Sequence, residues 1–215
     1  MKELTITREA REARETRETR ESRESTLKSN WKNLWYFQAY FFYPPILLGL
    51  AINAALELGG QYLTWTLPLG VVIWGFVEYI MHRWIFHQPE RGQWWRLLPW
   101  AHRTHHKHPR EISLIFAPVW FSLPISILIW LALSLIIGNR QIAVLILIGI
   151  WVGYLWYEFV HYTAHCRQPK TRLMRYLKTY HLLHHHTSAS IWFGVTSPVV
   201  DRLFGTYKGL PKSRK

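Results

Sequence analysis

From position 112 to 137 the chain runs 26 residues without a charge. A stretch so long and so apolar does not suit the interior helix of a small soluble domain, and it suffices to cross the hydrocarbon core of a bilayer. Three more stretches have near-spanning length: about 34–55, about 62–80, and about 142–157 running on toward His165. A backbone exposed to lipid must satisfy its polar groups within its own segment, so such stretches are helices. The expected fold is an all-α integral membrane protein with four transmembrane helices. Pro44, Pro45, Pro118 and Pro124 fall inside the stretches and are expected to kink or break them.

Over 215 residues the chain carries 26 Lys and Arg against 13 Asp and Glu, a formal charge of +13. Such a surplus also marks nucleic-acid binders, so its position matters more than its sign. Residues 1–30 hold eight basic and seven acidic residues, with a period-three run from Arg8 to Ser25 reading REAREARETRETRESRES. If helical, the run would set each Arg four positions before a Glu, the weaker orientation for such pairs, and it has no apolar face to bury. Residues 1–30 are therefore expected to be a charged, disordered, low-complexity tail, and 31–215 a membrane-embedded domain. No short apolar run follows the charged start directly, so no cleavable signal peptide is expected.

The other 18 basic residues lie between the apolar stretches. Four crossings put the amino terminus, residues 82–111 and residues 166–215 on one side, with turns near 57–61 and 138–141 opposite. The turns hold one basic residue, Arg140, and the other side seventeen, so the positive-inside rule makes that side cytoplasmic. Topology and anionic headgroups then account for the charge, and nucleic acid is not required. Trp31, Trp35, Tyr36, Trp94, Trp95 and Trp100 suit an interfacial belt. The single cysteine, Cys166, excludes an internal disulfide framework, a four-cysteine zinc site and a self-contained iron–sulfur cluster.

All twelve histidines lie between His82 and His186. They form four groups, HRWIFH (His82, His87), HRTHHKH (His102, His105, His106, His108), HYTAH (His161, His165) and HLLHHH (His181, His184, His185, His186). Every group maps to the expected cytoplasmic side, giving a histidine-rich helical cap. Positions i and i+4 of a helix differ by about 40° in azimuth, so His102 with His106, His161 with His165 and His181 with His185 can each aim two imidazoles at one point. Partners at i+3 are expected to add a third donor. His82 and His87 sit about 140° apart on a regular helix, which calls for a helix end or a distortion between them. Ten imidazoles exceed what one tetrahedral ion takes, so two metal ions are expected. An all-nitrogen donor set suits iron, zinc or copper. His108 and His186 fall outside the recurring patterns, as surface residues or as neighbours of the ligands.

The ordered motifs HxxxxH, HxxHH, HxxxH and HxxHH resemble the fatty acid hydroxylase and sterol desaturase superfamily over roughly residues 74–208. The look is nearest to fatty acid 2-hydroxylases, through EYIMHRWIFH, the HRTHHKHP loop followed by Phe-Ala-Pro, YEFVHYTAH and the closing FGVTSPVVDRLFGTY. Carried over by position, the resemblance implies metal ligation by His82, His87, His102, His105, His106, His161, His165, His181, His184 and His185. It implies a membrane-bound enzyme that hydroxylates a lipid or fatty acyl C–H bond with O2. The two ions would be iron, with zinc an ion that an isolated form could carry. No cytochrome b5-like domain precedes the spans, so the electrons are expected from a separate donor of ferredoxin or cytochrome b5 type. A lipid or sterol desaturase and a carotenoid hydroxylase are the alternatives within the superfamily, although HYTAH favours hydroxylation.

Ligating imidazoles usually donate their second N–H to a carboxylate or a carbonyl. Glu78, one turn before His82, and Glu158, three residues before His161, are expected in that role, against the alternative of a carboxylate reaching the interface or an Arg. Asp201, in VVDRLFG, matches the closing segment of the family it resembles, the alternative being that it only caps or pairs with Arg202. Arg83, Arg103 and Lys107 are topology residues or headgroup contacts, and Tyr157 and Tyr162 line the channel or pack the core. Two other classes compete: a metal transporter, whose site would lie nearer the midplane, and a structural lipid-surface protein, which leaves the ordered histidines without a role.

Overall fold

The computed structural model describes residues 36–88 and 97–210. The charged tail, Trp31, Trp35, Trp94 and Trp95 lie outside the described residues. The chain divides into two units, 1–38 and 39–215, and the second contains the elements that build the site. The described residues are helical and contain no strand. Four segments are long and apolar enough to cross a membrane: Gln38–Leu58, Gly60–Phe86, Ile112–Ile137 and Arg140–Cys166.

The first segment is helix α1, Gln38–Leu58. Helix α2, Leu63–Ile80, is preceded by a 3-10 turn and runs into a π-helical turn, Met81–Phe86. A short helix α3, Leu97–Lys107, lies between the second and third segments. The third segment is a 3-10 turn, Ile112–Leu114, followed by helix α4, Val119–Ile137. The expected break falls at Pro118, which takes an extended conformation (φ −67°, ψ 147°) as the residue that opens α4. Proline is suited there because the first turn of a helix has no use for its missing N–H. Pro44, Pro45 and Pro124, expected to kink or break their helices, sit within α1 and α4 without ending them, as does Pro68 within α2. Membrane helices tolerate such residues when neighbours satisfy the freed carbonyls.

Helix α5, Arg140–Cys166, is the central element: α2, α4 and α6 (Arg172–His186) all pack on it, and most of its side chains are buried within the protein. Gly138 ends α4 in the left-handed conformation (φ 70°), and Asn139 at once begins α5, its side chain accepting from Gln141 N and Ile142 N at 3.0 Å. That pairing of a C-terminal glycine with an N-terminal asparagine is why two residues suffice to reverse the chain. A five-residue helix α7, Val199–Leu203, follows α6.

Helices α2 and α5 approach closely where Gly70 meets Gly149: a Cβ on either would run into the backbone of the opposite helix. Farther along, Gly153 gives room to the Trp74 indole. In lipid, where burial of apolar area gives little drive between helices, such backbone contact supplies the van der Waals packing that associates them. Both helices run toward the same end, and that contact sets the ends that carry His82 and His161 side by side. Replacing Gly149 with Leu should therefore cost ~1–3 kcal/mol or more of stability, read as a lower unfolding midpoint in detergent; an unchanged midpoint would contradict the close crossing.

Candidate metal centre

Each histidine group reaches the same end of the spans by a different local device. His82 lies inside the π-helical turn, and His87 just beyond it at φ −93°, ψ 9°. An i→i+5 ladder stacks residues five apart where a regular helix would separate them, so this distortion brings the two rings to centroids 5.1 Å apart. Helix α3 presents His102, His105 and His106, α5 presents His161 and His165 in its last turns, and α6 presents His181, His184 and His185.

The ten rings sort into two groups of five. His82, His87, His102, His106 and His184 form one, and His105, His161, His165, His181 and His185 the other, with one ring nitrogen of each within 4.8 Å of the rest of its group. The i, i+4 pairs stay together as the helix geometry requires. The expectation that an i+3 partner joins the same point is corrected: His105 leaves His102 and His106 for the second group, and His184 leaves His181 and His185 for the first. The physical reason is the roughly 60° between positions three apart on a helix, which points the third ring to the adjacent group. Each of α3 and α6 thus serves both groups, and the His106 and His185 rings stack between them at 4.0 Å and 10°. His108 and His186 belong to neither group.

Within the first group the Nε2 atoms of His82 and His102 are 3.1 Å apart, and those of His87 and His184, His102 and His87, and His106 and His102 are each 3.0 Å apart. In the second, His161 and His105 approach to 2.9 Å and His165 and His181 to 2.8 Å. Outside the spans these imidazoles are held neutral. Burial, with neighbouring imidazoles adding to it, lowers His184 to about 3 and His105 to about 2. Burial likewise lowers His87 and His106 to about 4, and takes His102, His181 and His185 far down as well. Neutral imidazole is the form that binds metal.

The residues fit metal ions on two observations. His82, His161 and His184 each turn Nδ1 to a backbone carbonyl, Phe193 O at 2.5 Å, Ile115 O at 3.2 Å and Ile191 O at 2.9 Å. A carbonyl can only accept, so Nδ1 carries the proton and Nε2 faces its group as a bare lone pair. In addition, both nitrogens of His185 are buried without a hydrogen-bond partner among the described residues. Buried lone pairs that converge in this way are costly unless a cation takes them up.

The supporting layer differs from expectation. Neither glutamate hydrogen-bonds to an imidazole. Glu78 accepts from Val195 N, from Thr196 N at 2.9 Å and from Thr196 Oγ1 at 2.5 Å; Glu158 accepts from Ala117 N at 3.0 Å and from the Tyr154 hydroxyl. The carboxylates hold the two loops, 115–117 and 191–197, whose carbonyls hold the histidines. Asp201 does the same, accepting from Phe193 N at 2.9 Å, Gly194 N at 2.7 Å and Thr206 Oγ1 at 2.7 Å. Its neighbour Arg202 lies over the Tyr207 ring at 4.6 Å. The carbonyls of Ile115, Ile191 and Phe193 escaped the sequence because any residue type supplies one; the nearest signal was the closing FGVTSPVVD segment.

From His82, His102 and His161 a cavity of about 330 Å³ extends between α2, α4 and α5 past Ser126 to Ile129 and Leu147. Tyr157 lines it and stacks on His161 at 5.5 Å, whereas Tyr162 packs on Phe116. Arg83 donates to the Tyr79 hydroxyl at 2.6 Å and Arg103 to Gln88 O at 3.1 Å.

The family model described as fatty acid hydroxylase matches residues 67–206. The dihydroceramide fatty acyl 2-hydroxylase FAH2 of Arabidopsis thaliana is 31% identical over 186 residues, covering 86% of this chain and 78% of that protein. The fatty acid 2-hydroxylase of Mus musculus is 34% identical, and the match covers 64% of this chain but 38% of that protein. Among solved structures, full-length scs7p, in which only the hydroxylase domain is visible, superposes with a TM-score of 0.70 at 27% identity, covering 82% of this chain and 69% of that chain.

Acid should act on this cage in a definite direction. A free imidazole titrates near 6.5 and burial holds His87 and His106 at about 4, so the unfolded chain takes up protons first as pH falls. The metal-free protein keeps the contribution of these rings above about pH 6.5 and loses it progressively toward about pH 4. Thermal unfolding in detergent at about pH 7.5 and about pH 5 checks this; equal midpoints would contradict it.

Proposed function

The chain belongs to the fatty acid hydroxylase family, and on that premise we propose that it hydroxylates carbon 2 of an acyl chain of a membrane lipid at two metal ions, iron in the working enzyme. The observation that carries this reading is the placement of two five-imidazole groups at one end of an apolar cavity lying among membrane-spanning helices. Relatives named dihydroceramide fatty acyl 2-hydroxylase and fatty acid 2-hydroxylase support the choice of substrate and carbon. The excess of basic residues at the histidine end supports a cytoplasmic site.

His82, His87, His102, His106 and His184 hold one ion, and His105, His161, His165, His181 and His185 the other. When bound, the pair supplies the redox chemistry that activates dioxygen, which no side chain of the protein can do by itself. One oxygen atom enters the C–H bond and the other leaves as water, with two electrons from an external carrier of ferredoxin or cytochrome b5 type and two protons. The protein's own work is placement. Ile129, Leu147 and Ile150 line the apolar path for the alkyl chain, and Tyr157, stacked on His161, borders it at the imidazole end. The depth of the cavity favours a chain threaded inward with its carbonyl end near the cage, which is the orientation that brings carbon 2 to the ions. A metal transporter fits this arrangement less well, since both groups gather at one end of the spans.

Cells expressing the protein under labelled oxygen gas should accumulate 2-hydroxyacyl lipids carrying one labelled atom per chain, and His184→Ala and His161→Ala should abolish them. Lipid mass spectrometry reads the result; equal product from either variant, or hydroxyl groups without the label, would refute the proposal. Ile129→Trp, which narrows the cavity at its distant end, should shift the products toward shorter chains while leaving hydroxylation intact.

A further inference from the structure

The segment behind the first histidine group has an unusual backbone. Trp192 has φ 61° and is the only non-glycine with positive φ among the described residues. The left-handed region is disfavoured for a bulky side chain, and strain of this kind persists only where the surroundings over-determine it. Here they do. Trp192 is buried; its indole N–H donates to Lys208 O at 2.5 Å and its backbone N–H to Thr206 O at 3.1 Å. Asp201 takes the next two amides, and Glu78 the two after those.

The two residues flanking Trp192 are those whose carbonyls hold imidazoles. Ile191 O receives His184 Nδ1 at 2.9 Å, and Phe193 O receives His82 Nδ1 at 2.5 Å. These rings come from α6 and from the end of α2, and their centroids are 4.4 Å apart. A straight extended segment would hold carbonyls two residues apart at a spacing of roughly 6.6 Å, too wide to serve rings so close without tilting them. A left-handed residue between the two carbonyls bends the chain and lets them converge.

We propose that Trp192 is a positioning residue for the first five-histidine group: by holding this bend it aims two carbonyls at His82 and His184 and fixes both rings with Nδ1 protonated and Nε2 bare toward the group. The inference rests on the reading of those histidines as metal ligands. It also predicts a selective effect, because the second group takes its carbonyl from Ile115, through His161, on a different loop.

The test is zinc titration of the purified full-length chain in detergent, stripped of metal beforehand, with Trp192→Ala and Trp192→Gly beside the wild type. The wild type should bind two zinc ions per chain. Trp192→Ala should weaken one site ~10- to 100-fold, the range seen when groups orienting a ligand are lost, and leave the other unchanged. Trp192→Gly removes the same ring but takes positive φ without steric cost, so it should weaken that site less than the alanine variant does. Wild-type binding at both sites in Trp192→Ala, loss of both sites together, or a glycine variant weaker than the alanine variant would each overturn the proposal. A wild-type protein that binds no zinc would instead overturn the reading of the histidines as ligands.

Discussion

Ten imidazoles gather in two groups of five, the facing ring nitrogens of each group within 4.8 Å of one another, and that crowding is the constraint to which the rest of the molecule answers. In three of them a backbone carbonyl claims the Nδ1 proton, so their Nε2 lone pairs face a group that cannot satisfy them by proton sharing alone. Burial removes the remedy of protonation, since a charged imidazole would have to leave water and sit beside others of its kind. A pair of cations would relieve both problems at once, which is the physical ground for the proposed metal centre.

Holding rings from four separate segments in register requires rigid backing, and the protein supplies it in two steps. Buried carboxylates grip loop amides, and the carbonyls of those same loops grip the imidazoles. Glu158 acts on the 115–117 loop, Glu78 and Asp201 on the 191–197 loop. Placing the carboxyl groups one step away from the rings gives Glu78, Glu158 and Asp201 N–H and O–H donors to accept from. It also lets the orientation of His82, His161 and His184 be set by backbone, which has less freedom than a side chain.

The membrane-spanning frame and the cage are coupled through α5. Its glycines admit α2 to backbone contact, and its last turns carry two of the ten gathered imidazoles, His161 and His165. The break at Pro118 turns the start of the third segment into a loop, which both closes over His161 and leaves room for the cavity beside α4. An apolar space among lipid-facing helices, ending on a polar cage, is what the proposed function needs to keep an alkyl chain away from water.

The sequence by itself determined the four spans, because charge-free length is a local property, and it determined which histidines pair at i, i+4, because helical azimuth is local too. It also exposed the spacing of His82 and His87 as irregular for an α-helix, which the π-helical turn now accounts for. It could not determine how the HxxHH motifs divide, since sending His105 to one group and His184 to the other depends on where α3 and α6 lie relative to α5. Nor could it find the carbonyls of Ile115, Ile191 and Phe193, or the detour of Glu78 and Glu158 through loop amides. Backbone atoms are identical in every residue, so their roles arise only when the packed chain brings them to a ring.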